Sequence, residues 1–330
     1  MSPAELLRHA FPVLAVATFV VVPIYSAVQR GRSFAIYSTI TFGISLVGAL
    51  VVHTRLPAWV PAPLLAWVDA AFAFGIAAGG VPYAHLVRAR LRGELFRRLF
   101  SVPGQGFVAT SFLATFWLLG LLLLRGPLWG LGFAGVDTAD VLRALMPLDL
   151  VPYVVGLVAV ATSARPVTEV VRVPLGDSGP AEITRVPVER HRRREPAPLE
   201  TPPLRIVQIT DPHLGPWQPV ARLAGIVDRL VDREPDLVLL TGDFLTMESN
   251  STPGALAQAL EPLQRARGRC YAIFGNHDHG APDEGRAALA ANDVELLVDA
   301  SAVAETRAGP VQIVGADFVR RDRESHLREL

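Results

Sequence analysis

The chain has 330 residues, with 31 basic and 31 acidic side chains and a formal net charge of zero. A balanced charge supplies no global positive field, so nucleic-acid binding is not expected. Hydrophobic residues make up 51% of the chain and the mean hydropathy is +0.35, too apolar for an ordinary soluble protein.

The apolar excess sits in the first half. A membrane-spanning helix needs roughly 20 mostly apolar residues. Five stretches qualify: about Ala10–Val28, Ser33–Val52, Leu64–Leu86, Gly106–Leu124 and Leu145–Ala164. The first has a thin charged flank and further spans follow closely, which speaks against a cleaved signal peptide. The fourth, with Leu118, Leu119 and Leu121 to Leu124, is the clearest. The fifth is short and holds Pro147 and Pro152. Residues 1–165 therefore read as an α-helical multi-pass domain of the cell membrane, with the lipid bilayer as its partner.

All the basic residues are arginine. The connection between spans three and four holds Arg88, Arg90, Arg92, Arg97 and Arg98, and the first connection holds Arg30 and Arg32. The other loops hold Arg55, then Arg125 and Arg143. Arginine-rich loops stay inside, so five spans place the N-terminus outside and the C-terminal domain in the cytoplasm. Without span five the domain would face the other side. Asp69, about five residues into span three, is expected at the membrane interface.

Residues 166–203 form a Pro/Arg-rich linker, with a hairpin expected through Val167–Val173 and Ala181–Val188. The run Arg190–Arg194 reads as a solvated linker segment, with contact to anionic headgroups as the other reading.

From Leu204 the pattern alternates between strand and helix. Leu204–Thr210 is a continuous apolar run, expected of a strand buried on both faces. Val220, Leu223, Ile226, Val227, Leu230 and Val231 mark one stripe of a helix. Strands are expected at Asp236–Thr241, Cys270–Phe274, Val294–Val298, Ala302–Thr306 and Val311–Val314. Helices are expected at Pro253–Arg267, Glu284–Ala291 and from Asp322. This alternation predicts an α/β domain with parallel strands over 204–330. Cys270, the only cysteine, falls in an apolar strand and reads as a buried, inert thiol.

Three motifs follow apolar strands: Asp211-Pro-His213, Gly242-Asp243 and Gly275-Asn276-His277-Asp278. Sites in open α/β sheets form at the carboxyl ends of strands. Asp211 and His213, two apart in an extended segment, would project to one side and hold one divalent metal. Gly242 permits a tight turn that aims Asp243 inward, where a carboxylate can bridge two cations, an arrangement that suits phosphoryl chemistry. Asn276 offers an amide oxygen to a second metal. His277 is placed to donate a proton or to clamp the transition state, and Asp278 to orient His277. The bland alternative is a set of turns. Three such motifs in order, each at a strand end, favour a catalytic site.

These segments resemble the calcineurin-like metallophosphoesterase superfamily, and the layout is similar to its bacterial multi-pass, membrane-attached members. The resemblance covers about residues 204–318, including Gly315-Ala-Asp317. It implies a four-layer α/β/β/α sandwich, of which this chain would hold part. It also implies that Asp211 and His213 bind one metal, Asp243 bridges, Asn276 binds the second and His277 assists catalysis. The two divalent ions would be manganese, iron or zinc. The implied reaction is hydrolysis of a phosphomonoester, phosphodiester or pyrophosphate, lipid-linked substrates among them.

The family's later histidine and Gly-His-x-His ligands have no counterpart in the sequence. His279 and His326 lack the context and read as exposed. The chain is thus expected to be a truncated form, a weak metal binder and poorly active alone. Two other readings are an inactive membrane scaffold, and a transporter with an appended regulatory domain. The second is disfavoured because Asp69 is nearly the only ionisable residue in the spans.

Overall fold

The computed structural model describes residues 3–85, 90–163, 168–173, 182–186 and 203–329. The chain divides into two compact units, residues 1–88 with 92–162, and residues 89–91 with 163–330.

The first unit is helical. Helix α1 covers Pro3–Arg30, α2 Arg32–Arg55, α3 Ala62–His85 and α4 Val102–Phe133. A helical turn, Glu94–Phe96, and a π-helical segment, Arg97–Ser101, lead into α4. Then come α5 (Ala139–Ala144), a 3-10 segment (Met146–Leu150) and α6 (Val151–Ser163). Five segments are long and apolar enough to cross a membrane: Arg8–Arg30, Arg32–Ala58, Ala62–Ala84, Glu94–Phe133 and Ala139–Thr162. The fifth is built from those last three pieces, in keeping with its prolines.

Close helix approach in this unit depends on small residues. A Cβ on Gly104 would sit 2.1 Å from the Ala78 carbonyl oxygen, and one on Gly48 2.3 Å from that of Ser111. Large apolar side chains such as Leu123, Leu157 and Val28 project outward. That is the reverse of a soluble fold and suits a lipid-facing surface.

Three details depart from the sequence reading. Arg125 lies inside α4 and is buried, not in a loop. Asp69 is buried inside the unit, with His53 Nε2 at 3.0 Å without hydrogen-bond alignment and Arg8 Nε at 3.7 Å. Its place near a span's end did not reveal that it points into the unit. His53, Arg125 and Asp149 are buried as well, so Asp69 is not nearly alone among ionisable residues in the spans.

The second unit begins with an antiparallel hairpin of β1 (Thr168–Arg172) and β2 (Glu182–Val186). The run Arg190–Arg194 lies outside the described residues. A parallel sheet follows in the order β3 (Ile206–Ile209), β4 (Leu237–Thr241), β5 (Cys270–Ile273) and β6 (Glu295–Leu296). The crossovers carry α7 (Val220–Val231), α8 (Ala255–Leu260) with a 3-10 extension (Glu261–Ala266), and α9 (Pro282–Ala291). Pro262 lacks the amide needed to continue α8 as an α-helix, so the predicted single helix changes pitch there.

Leu223, Val227 and Val231 form the buried stripe of α7. They join Leu240, Phe244, Leu256, Leu260, Leu263 and Phe274 in one core. On a second apolar cluster, Leu237, Tyr271 and Leu297 pack with Ala304 and Ile313. Those last two belong to an antiparallel pair, β7 (Ala300–Thr306) and β8 (Gly309–Gly315). Helices, parallel sheet and β-pair make three successive layers, consistent with part of an α/β/β/α sandwich. Strand β4 is almost wholly buried, but β3 is not, and Ile206 is 50% exposed. Burial of β3 on both faces was expected from its apolar run, but β3 is an edge strand of the described sheet. Helix α10 (Arg323–Glu329) ends the described chain.

Candidate metal centre

The three motifs occupy the loops leaving β3, β4 and β5. Parallel register sets those exits side by side, with Ile209 opposite Leu240 and Thr241 opposite Ile273. The loops continue the pairing of β3 and β4 beyond the strands. The Asp211 amide donates to Gly242 O at 3.2 Å, His213 to Asp243 O at 3.1 Å and Leu214 to Phe244 O at 2.8 Å.

Asp211, His213 and Asp243 all adopt positive φ, at 48°, 43° and 54°. Left-handed backbone in a non-glycine residue costs about 1–3 kcal/mol and clusters at functional sites. Asp211 and His213 therefore do not alternate along an extended strand as their spacing suggested. The bent loop still brings them together, with His213 Nε2 at 3.9 Å from Asp211 Oδ1 and 3.9 Å from Asp243 Oδ2.

His213, Asp243 and His277 each present a ligand atom within 4.8 Å of the others. The two imidazole rings stand perpendicular, with centroids 5.0 Å apart. The His277 amide donates to Asp243 Oδ1 at 3.0 Å, so one carboxylate joins the β4 and β5 loops. His277, read from the sequence as a catalytic group, thus also stands among the metal-binding candidates. Asn276 is exposed in the same loop. Thr210, which the sequence reading passed over, hydrogen-bonds through Oγ1 to Asp211 Oδ2. Adjacency to the first motif was its only signal.

Asp278 is wholly buried. Its Oδ1 accepts the amides of Phe244 (2.9 Å) and Leu245 (3.2 Å), and its Oδ2 accepts that of Gly275 (2.9 Å). Both oxygens face backbone, so the side chain ties two site loops together and is not turned to the His277 ring. Burial raises its pKa above the ordinary carboxylate value, while amides from Gly275, Phe244, Leu245 and Asp243 oppose that rise. Two glycines permit the close fit. Gly242 has φ +86°, and a Cβ there would meet Gly275 N at 2.3 Å. A Cβ on Gly275 would meet Asp243 Oδ1 at 2.2 Å.

Imidazole nitrogens and carboxylate oxygens converging on one half-exposed spot fit a divalent transition-metal ion. Other titratable groups lie elsewhere. His279 is exposed, as expected, and pairs with Asp317 at 3.2 Å. His326 was expected to be exposed, but it is half-buried because Asp299 Oδ1 holds its Nε2 at 2.9 Å. Cys270 is buried with its thiol pushed up to about 11, chiefly by burial, and donates to Ala266 O at 3.2 Å.

Comparison with known proteins agrees with this geometry. Residues 204–310 match the calcineurin-like phosphoesterase family. The UDP-2,3-diacylglucosamine pyrophosphatase LpxG of Chlamydia trachomatis serovar D is 40% identical over 76 residues, 23% of this chain and 23% of that protein. Phosphodiesterase YaeI of Escherichia coli K12 is 29% identical over 76 residues, 23% of this chain and 28% of that protein. A transmembrane protein with metallophosphoesterase domain from Bos taurus is 30% identical over 143 residues, 43% of this chain and 30% of that protein. The chain thus spans about a quarter to a third of these relatives, and no solved structure matches it. The shared family, the strand-end loops and the converging His213, Asp243 and His277 place the C-terminal domain of this chain in the calcineurin-like metallophosphoesterase superfamily.

Proposed function

We propose that this chain is a membrane-anchored, metal-dependent hydrolase of phosphoester or pyrophosphate bonds. The observation that carries the reading is the convergence of His213, Asp243 and His277 within 4.8 Å at the exits of parallel strands. Asp211, His213, Asp243 and Asn276 would hold two divalent ions, with manganese, iron or zinc fitting the mixed donors. Bound ions supply a nucleophile at neutral pH and offset phosphate charge.

The chain's own residues set the rest. Asp243 reaches the amide of His277 and lies beside the His213 ring, so its carboxylate fixes the spacing of the two histidines. His277, exposed at the rim, is placed to donate a proton to the leaving oxygen. Five apolar spans support a membrane-anchored chain, and such anchoring favours a substrate carried on a lipid. The likeness to a pyrophosphatase of UDP-2,3-diacylglucosamine supports that class. The arginine-rich first and third connections support a cytoplasmic catalytic domain.

The test uses the purified 330-residue chain with Mn²⁺ and bis-p-nitrophenyl phosphate, p-nitrophenyl phosphate or a lipid-linked pyrophosphate. We expect slow metal-dependent release that a chelator stops and that Asp243→Asn and His277→Ala each remove. Turnover retained in either variant would overturn the assignment.

A further inference from the structure

The helical unit buries two aspartates at the end where α2 finishes, and each is bracketed by cations from other helices. Asp69 on α3 meets His53 on α2 and Arg8 on α1. Asp149, in the 3-10 segment before α6, meets Arg125 on α4 at 2.7 Å and Arg55 at the end of α2 at 3.3 Å. With a neutral imidazole the first group sums to zero, one arginine against one aspartate. The second sums to +1, two arginines against one aspartate.

An uncompensated charge in a low-dielectric setting is costly and attracts a counter-ion. Arg125 is not the surplus cation. It is buried, and it also donates to Leu145 O at 2.7 Å. Arg55 differs. Its side chain is 33% exposed, and Nη1 to Asp149 Oδ2 is its one hydrogen bond among the described residues. Thus a surplus, partly exposed guanidinium lies at the end of a membrane-spanning segment.

We propose that Arg55, backed by Arg125 and Asp149, binds the phosphodiester headgroup of an anionic phospholipid. Guanidinium is matched to phosphate by its planar fork of donors. Asp149 keeps the two arginines apart and sets the net charge at one, so the site takes a singly charged phosphodiester. Its ligand is the lipid of the surrounding bilayer, separate from any substrate of the C-terminal domain.

The test is native mass spectrometry of the full chain released from detergent carrying phosphatidylglycerol, phosphatidylcholine or inorganic phosphate alone. Lipid retention is read directly, so the result is independent of phosphoester turnover. We expect phosphatidylglycerol to be retained about fivefold over phosphatidylcholine, the effect of one cation near a membrane surface. Arg55→Gln should bring retention down to the phosphatidylcholine level, and Arg55→Lys should keep part of the preference. Arg143→Gln removes a nearby exposed arginine paired with Asp140 and should change nothing. Equal retention of both lipids by the unaltered chain would overturn the proposal without any variant. So would equal losses in Arg55→Gln and Arg143→Gln, or displacement of the lipid by inorganic phosphate.

Discussion

Replacing Asp278 with alanine separates two roles for this side chain. If it ties the site loops, the variant leaves the amides of Phe244, Leu245 and Gly275 buried without their acceptor. Each orphaned buried donor costs about 1–3 kcal/mol. Three sum to about 3–9 kcal/mol, and water entering the space would hold the loss toward the lower end. A domain is typically stable by only about 5–15 kcal/mol, so the lower figure is already severe. At about 4 °C per kcal/mol for a domain of this size, the C-terminal unit should melt at least about 12 °C lower. Asp278→Asn keeps one acceptor oxygen for Phe244 and Leu245 but faces the Gly275 amide with a donor, so its loss should be about a third as large. The assay is thermal unfolding of the full chain in detergent, with hydrogen exchange of peptides covering 242–246 and 274–279. Both peptides should exchange faster, and Mn²⁺ affinity should fall with them. Unchanged melting and exchange, with only turnover reduced, would refute the tie and return Asp278 to a role on the His277 ring.

Gly275→Ala should weaken metal binding at least tenfold without touching a ligand, because its Cβ would meet Asp243 Oδ1 at 2.2 Å and Asp243 N at 2.5 Å; calorimetric Mn²⁺ titration would show it. Leu260→Ala removes a wholly buried side chain from the α8 core and should cost about 2–5 kcal/mol, read as an early melt with metal affinity preserved per folded molecule. Cys270 should resist thiol reagents in the folded chain: with a thiol pKa of about 11, only about one in a thousand molecules carries thiolate at pH 8, and the sulfur is buried besides. Rapid labelling should appear only on unfolding, and fast labelling of the native protein would contradict the burial.

Much of this protein is legible along the chain because its determinants are local. Five apolar segments follow from length and composition. The strand–helix order from Ile206 to Gly315 follows from periodicity and turn chemistry, and that order alone aligns Asp211, Asp243 and Asn276 at strand exits. What required tertiary structure is direction and partnership. The spacing of Asp211 and His213 implied an extended backbone, but both sit at positive φ because their amides pair with the β4 loop. Asp278 adjoins His277 in sequence yet turns to amides 30 or more residues away at Phe244 and Leu245. Strand β3 looked fully buried, but its place in the sheet order leaves it at an edge. Asp69 and Asp149 gain their cations from helices that are distant in sequence. Periodicity reports which residues share a face; only packing decides what that face meets.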